Sequence, residues 1–263
     1  MNENALRALL GDLPRGPIRY FDRIDSTNLE ALRWVRSGAA HLALVVANEQ
    51  TAGRGRMGRR WYTPPGAALA FSLILRPEQL PLTSLIRLTA LGALAVCTAL
   101  SQRFDLLPQI KWPNDVLLDG RKFAGILVEA IWQGEELEAA VLGIGINVAR
   151  ESLPPEETLL FPVTCLEDVL GNPIDRWIVL REVLDALFGW IARMHTSDFL
   201  NAWEDQLAFR GQLVRVYREG QAAIEGLLAG LSQDGSLLLH LPSGQTWSVS
   251  GGEVHLRPVS VDT

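Results

Sequence analysis

The apolar positions of this chain recur with two periods, and the switches between them lay out its elements. Residues 3–11 are read as a short helix, and Arg19 to Ile24 alternates as a strand does. Thr27-Asn28-Leu29-Glu30 has the form of a capping box, with Thr27 as N-cap and Glu30 at N3. It predicts a helix to about Ser37, stopped by Gly38. His41 to Asn48 and Ala68 to Leu75 are largely apolar runs that predict strands, the second of them buried. Thr83 caps a helix that reaches about Gln102. Its apolar part, Ser84 to Leu100, carries Arg87 and two threonines, and reads as a buried helix rather than a membrane span.

Short strands and tight turns follow. Gln109 to Lys111 leads through Trp112-Pro113-Asn114-Asp115 into Val116 to Leu118, and Asp119-Gly120 is a two-residue hairpin signal. Lys122 to Ile131 is the returning strand, Gln133-Gly134 a second turn, and Glu136 to Val148 another long strand. Prolines and acidic residues from Pro154 to Pro173 predict an irregular excursion, and helices are expected over 175–194 and 197–209. Gly211 changes the texture. Leu213 to Tyr217, Ala223 to Leu231, Leu237 to Leu241 and Thr246 to Val249 are short strands separated by glycine turns, a small β-barrel of about fifty residues. The expected fold is α+β: residues 1–210 as one domain and 211–263 as a small all-β one.

Length and charge narrow the function. A chain of 263 residues buries a substantial core, and a formal charge of −6 argues against a mainly electrostatic nucleic-acid binder. The two cysteines, Cys97 and Cys165, have neither zinc spacing nor a disulfide framework, so a reduced, cytoplasmic setting is the default. The four histidines are scattered, without an H-E-x-x-H pair. Residues 1–19 are charged throughout and lack the apolar core of a secretory signal.

Against that acidic background, Gly53-Arg54-Gly55-Arg56-Met57-Gly58-Arg59-Arg60 places four arginines among three glycines. Glycine lets backbone N–H groups approach a ligand, and arginine presents a planar fork of donors to carboxylate or phosphate. The segment matches G-x-G-x-x-G by letter, but a dinucleotide fingerprint needs a helix opening on the glycines. Arg59-Arg60-Trp61-Tyr62-Thr63-Pro64-Pro65-Gly66 cannot sustain one. No Gly-Lys-Ser/Thr follows, which excludes a Walker A loop. An anion cradle, a solvated basic loop and an Arg-Gly RNA-binding segment all remain open at this point.

Other segments carry compatible chemistry. Asp25-Ser26-Thr27-Asn28 opens a helix, where hydroxyls, an amide and orphan N–H groups can read a polar head group or merely cap the helix. Lys111-Trp112-Pro113-Asn114-Asp115 gathers a cation, an aromatic and two oxygen-bearing side chains around a proline. Lys122 stands on an otherwise apolar strand, either snorkelling to water or pointing into a site.

Ser26-Thr27-Asn28, Gly53 to Arg59, Lys111 to Asp115, Lys122-x-x-Gly125-Ile126-Leu127-Val128-Glu129 and Gly143-Ile144-Gly145-Ile146-Asn147 resemble, in order and spacing, the blocks of biotin protein ligases. The resemblance runs from about Tyr20 to Pro258. It implies a mixed sheet flanked by helices, similar to class II aminoacyl-tRNA synthetases, followed by an SH3-like barrel. It also implies two-step chemistry: biotin and MgATP give biotinyl-5′-AMP, and a lysine of a biotin carboxyl carrier protein then takes the biotinyl group. ATP and Mg²⁺ are the implied cofactors, biotin is the substrate, and no tightly bound prosthetic group is called for.

By that resemblance Lys122, Arg54 and Asp115 are catalytic, with Lys122 bridging the biotin carboxylate and the α-phosphate. Arg54 and Arg56, with Gly53 and Gly55, close a loop over the intermediate. Ser26, Thr27, Asn28, Gln50 and the backbone near Gly145 suit the ureido ring. Trp61 packs on the valeryl chain or the adenylate. Lys111, Asn114, Asp115 and Asn147 face the nucleotide, with Asp115 the candidate Mg²⁺ ligand. Expected partners are the carrier protein of acetyl-CoA carboxylase or a related carboxylase, with no nucleic acid and no membrane, the protein being a monomer or homodimer.

Met57 stands where a fully basic loop has arginine. Nineteen residues precede Tyr20, too few for a winged helix-turn-helix, so the expectation is the ligase-only type. A lipoate–protein ligase shares the adenylation logic and is the nearest alternative enzyme. An Arg-Gly nucleic-acid module leaves Lys122, Trp112 and Ser26 to Asn28 unexplained.

Overall fold

The seven strands of the larger sheet lie in the order β1-β2-β3-β7-β6-β5-β4. This arrangement comes from a computed structural model that describes residues 1–13, 16–76, 85–155, 159, 161–218, 222–250 and 254–258. Helix α1 (Glu3–Leu9) precedes β1 (Ile18–Ile24), α2 (Thr27–Arg36), β2 (Leu44–Gln50) and β3 (Ala68–Leu75). Helix α3 (Leu85–Phe104) leads to β4 (Gln109–Lys111), β5 (Asp115–Leu118), β6 (Arg121–Gln133) and β7 (Glu136–Asn147). Helices α4 (Leu166–Leu170), α5 (Arg176–Ile191) and α6 (Ser197–Asp205) complete this part. Only β1 and β2 pair in parallel; every other neighbour is antiparallel.

Strand alternation divides the sheet into two working faces. On β3, Leu69, Phe71, Leu73 and Leu75 join the main core with α3 and α5. Ala70, Ser72 and Ile74 point the other way. On β7, Ala140, Leu142, Ile144 and Ile146 face the main core, which leaves Ala139, Val141, Gly143, Gly145 and Asn147 on the second face. Helix α2 covers one end of that face, packing Ala31 and Val35 on Ile74, Ala139 and Val141. Where the glycines begin, side chains from other segments can lie close on the strand backbone, and a cavity opens beside α2.

Helix α3 is long and apolar enough by composition to cross a membrane. Here it packs against α5 and the sheet as the central core helix, as its pattern predicted.

The remaining strands, β8 (Leu213–Arg218), β9 (Ile224–Leu231), β10 (Leu237–His240), β11 (Thr246–Val249) and β12 (Val254–Pro258), form an antiparallel sheet in the order β11-β10-β9-β8-β12. It docks on the larger part through its β9–β10 turn. Trp112 Nε1 donates to Gly235 O at 3.1 Å, and Arg87 donates to Gln233 O.

Several local expectations are corrected. Ser26, not Thr27, is the N-cap of α2, its extended backbone placing Oγ 3.5 Å from Leu29 N. Glu30 then turns outward to pair with Arg19 at 2.9 Å instead of closing a capping box. Residues 41–43 are turn rather than strand, with Leu42 at φ 60°. The 154–173 excursion contains α4, ended by Gly171 in the left-handed region. Strand β12 was not foreseen; its last residue, Pro258, can sit there because a proline at a strand end removes no needed donor. The proposed cap at Thr83 lies outside the described residues.

Candidate active site

Among the described residues, the cavity, about 660 Å³, is lined by seven cationic side chains (Arg54, Arg56, Arg59, Arg60, Lys111, Lys122 and Arg257) and one carboxylate, Asp115. That imbalance, in an acidic chain, marks a site for a strongly anionic ligand.

One end is uncharged and polar. Thr27 N and Thr27 Oγ1 lie 2.8 and 3.1 Å from Gln50 Oε1, and Gln50 Nε2 donates to Thr63 Oγ1 at 2.9 Å. Ser72 Oγ sits 2.8 Å from Thr27 Oγ1 and 2.5 Å from Asn28 Oδ1. Gly143 is required beneath this network, because a Cβ there would fall 2.1 Å from Asn28 Oδ1. Beside it Trp61 lies flat on the strand backbone, where a Cβ on Gly145 would meet the indole at 2.4 Å. The indole Nε1 is buried there without a hydrogen-bond partner.

The other end is charged. Lys122 Nζ is 2.6 Å from Asp115 Oδ1 and Lys111 Nζ 3.5 Å from Asp115 Oδ2, while Asn114 Nδ2 donates to Oδ1 at 3.1 Å. Burial pushes against a charged Asp115, but the ammonium groups of Lys122 and Lys111 outweigh it and hold the carboxyl below its ordinary range. Burial, aided by Arg257 and Lys122 and opposed by Asp115, pushes Lys111 down to about 8. Phe161 takes Lys111 Nζ at 4.1 Å and the Arg257 guanidinium at 5.2 Å from its ring centre.

The arginine loop arches over both ends as a narrow hairpin. Trp61 N donates to Gly53 O at 2.9 Å and Gly55 N to Arg59 O at 2.7 Å, and Met57 supplies the left-handed residue at φ 59°. Arg56 Nη1 reaches Asn114 Oδ1 at 2.9 Å, and Arg54 pairs with Glu129 at 3.1 Å.

Comparison with known proteins decides what this architecture belongs to. The Biotin/lipoate A/B protein ligase family profile matches residues 20–147 and the Biotin protein ligase C terminal domain profile residues 210–257. A biotin–[acetyl-CoA-carboxylase] ligase of Paracoccus denitrificans is 37% identical over 232 residues, covering 85% of this chain and 94% of that protein. The chain belongs to the biotin protein ligase family. The fold agrees: a biotin protein ligase of Aquifex aeolicus, solved with biotin and ATP, superposes with a TM-score of 0.78 at 30% identity, over 92% of this chain and 99% of that one. A bifunctional ligase/repressor of Bacillus subtilis is 34% identical, over 86% of this chain and 70% of its own length.

In this ligase the residues singled out from sequence converge on one cavity: Ser26, Thr27, Asn28, Gln50, Arg54, Gly55, Arg56, Trp61, Lys111, Asn114, Asp115, Lys122, Gly145 and Asn147 all line it. Gly53 does not; it packs behind the loop, where a Cβ would fall 2.3 Å from Trp61 O. Asn147 faces the cavity but also donates to Thr164 O at 3.1 Å, which ties down part of the 154–173 excursion. Among the described residues Asp115 is the one carboxylate in the lining, and its oxygens are already held by Lys122, Lys111 and Asn114. No cluster of three or more metal-ligating residues exists among the described residues. The donor set does not fit a resident Mg²⁺ ion, and the metal is better treated as part of the nucleotide substrate.

Sequence reasoning missed four contributors. Ser72 had a signal, a hydroxyl inside the apolar run Ala68 to Leu75. Glu129 closed a quoted block without receiving a role. Phe161 and Arg257 had no signal, since nothing local places them beside Lys111.

Proposed function

We propose that this ligase joins biotin to ATP in the cavity and delivers the biotinyl group to one lysine of a biotin carboxyl carrier protein, in the cytoplasm. The observation that carries the residue assignment is the polarity split of the cavity, an uncharged hydrogen-bonding end joined to a cation-rich end.

The ureido ring fits the end built from Ser26, Thr27 and Gln50. Its apolar body lies along Trp61 and the glycine backbone of β6 and β7, and its carboxylate reaches toward Lys122. The triphosphate takes the cationic end. A biotin carboxylate oxygen attacks the α-phosphorus, the bond to the bridging oxygen breaks, and pyrophosphate leaves with its magnesium. Lys122 offsets the charge that two approaching anions build up, and Arg56 holds the loop closed over the intermediate. The carrier amine then attacks the carbonyl carbon; the C–O bond to AMP breaks, and the amine proton passes to solvent. Asp115 holds Lys122 and Lys111 in place throughout.

A lipoate substrate is the second reading, because the family profile spans both. A dithiolane offers no N–H or C=O to a network as polar as Thr27, Gln50, Ser72 and Thr63, which favours biotin. Incubation with ATP, apo carrier protein and either radiolabelled biotin or radiolabelled lipoate separates the two. Biotin-dependent pyrophosphate release followed by labelled carrier is expected; release driven by lipoate alone overturns the assignment.

A further inference from the structure

Glu129 lies outside the cavity lining, yet its carboxylate joins two of the cavity's walls. It is mostly buried, with 19% side-chain exposure. Oε1 takes Arg54 Nη1 from the loop at 3.1 Å, and Oε2 takes Asn28 Nδ2 from α2 at 2.9 Å. The amide of Asn28 is otherwise spoken for. Its Nδ2 also donates to Leu127 O at 3.3 Å, and its Oδ1 accepts from Ser72 at 2.5 Å. A primary amide has two donors and one acceptor oxygen. Both donors and one lone pair of the oxygen are engaged by protein, so Asn28 is a fixed part of the cavity floor.

The contacts therefore run Ser72–Asn28–Glu129–Arg54, from β3 through α2 and β6 to the loop. We propose that Glu129 is a positioning residue that couples closure of the arginine loop to the order of the biotin-facing floor. This rests on the biotin-ligase reading. The chemistry needs a carboxylate. An ionised carboxylate is acceptor-only and satisfies both donors at once. A carboxamide of the same shape must turn its NH₂ toward either Arg54 or Asn28, donor against donor. Glu129→Gln thus breaks one joint without changing volume, and either the loop or the floor loosens.

The test uses the full chain and measures biotin-dependent pyrophosphate release. In Glu129→Gln the KM for biotin is expected to rise about tenfold with kcat within a few-fold, as loss of one charge-assisted bond implies. In an Arg54→Ala background the same change is expected to add less than about twofold, since both act through one joint. A merely structural role would lower the melting temperature and the active fraction and leave KM alone. An unchanged KM, or effects that multiply in the double variant, overturns the coupling. Wild-type protein that releases no pyrophosphate with biotin overturns the ligase reading itself, whatever the variant does.

Discussion

Lys122 and Lys111 stand on either side of one carboxylate but face different electrostatic problems. Lys122 is mostly buried at the cavity wall and pairs closely with Asp115. Lys122→Ala is expected to fold and to lose adenylation by about a hundredfold or more, in line with the 2.7–4 kcal/mol typical of a lost transition-state contact, roughly. Pyrophosphate release within a few-fold of wild type would show that Lys122 does not serve the reaction. Lys111 is buried, and that burial pushes its pKa down to about 8. A bound triphosphate favours its protonated form and raises that value, so ATP binding near pH 8.5 should draw in a proton. Calorimetry in buffers of different ionisation heat measures this uptake, which Lys111→Arg should abolish because arginine stays charged. No buffer dependence in the wild type refutes it. Arg56 reaches Asn114 Oδ1, a tether from the loop to the Lys111–Asp115 turn that suits closure. Arg56→Gly should still make biotinyl-AMP but release it, labelling bystander lysines. An inactive or still selective variant would place Arg56 elsewhere.

At the scale of elements, the loop and the glycines of β7 set the shape of the site. Cross-loop backbone bonds and side-chain tethers from Arg54, Arg56 and Arg60 hold residues 53–60 against the mutual repulsion of four arginines. Protease cleavage after these arginines should fall sharply when biotin and ATP are added; equal cleavage with and without them argues against ligand-driven closure. Gly145→Ala puts a methyl where Trp61 now lies, 2.4 Å from the ring. The indole must leave the strand, so biotin affinity should drop at least tenfold while ATP binding alone is spared. Equal loss for both ligands would mean a general collapse. Most of these elements were legible beforehand, because β3 and α3 announce themselves by uninterrupted apolar periodicity. The N-cap was displaced by one residue since Ser26 and Thr27 are chemically interchangeable caps, and only the extended backbone of Ser26 chose between them.

For the whole molecule, the C-terminal sheet is part of the site's support. Trp112 is buried, and its indole bonds Gly235 O, so the Lys111–Asp115 turn leans on the β9–β10 turn. Trp112→Phe keeps most of the packing but leaves that carbonyl without its donor. A stability loss of about 1–3 kcal/mol is expected, read by chemical denaturation. An unchanged midpoint would mean the two parts are held by packing alone. Arg257 and Leu256 reach the cavity from β12, the strand that local pattern did not reveal. A short segment ending in proline carries little strand signal, and it becomes a strand only because β8 offers it a partner.

The sequence by itself determined which residue types line the cavity: the arginine loop, the lysines and the glycine pair are spelled out as contiguous blocks. It also determined the order of elements, since hydrophobic period and turn chemistry are local properties. Tertiary structure alone decided the partnerships. That Glu129 joins Arg54 to Asn28, that Ser72 binds the α2 N-terminus and that Phe161 lies between Lys111 and Arg257 all depend on strand register across distant segments. A carboxylate, a hydroxyl or an arginine in sequence states what it can bond. Which donor or acceptor stands within 3 Å of it is fixed only when the sheet brings the segments together.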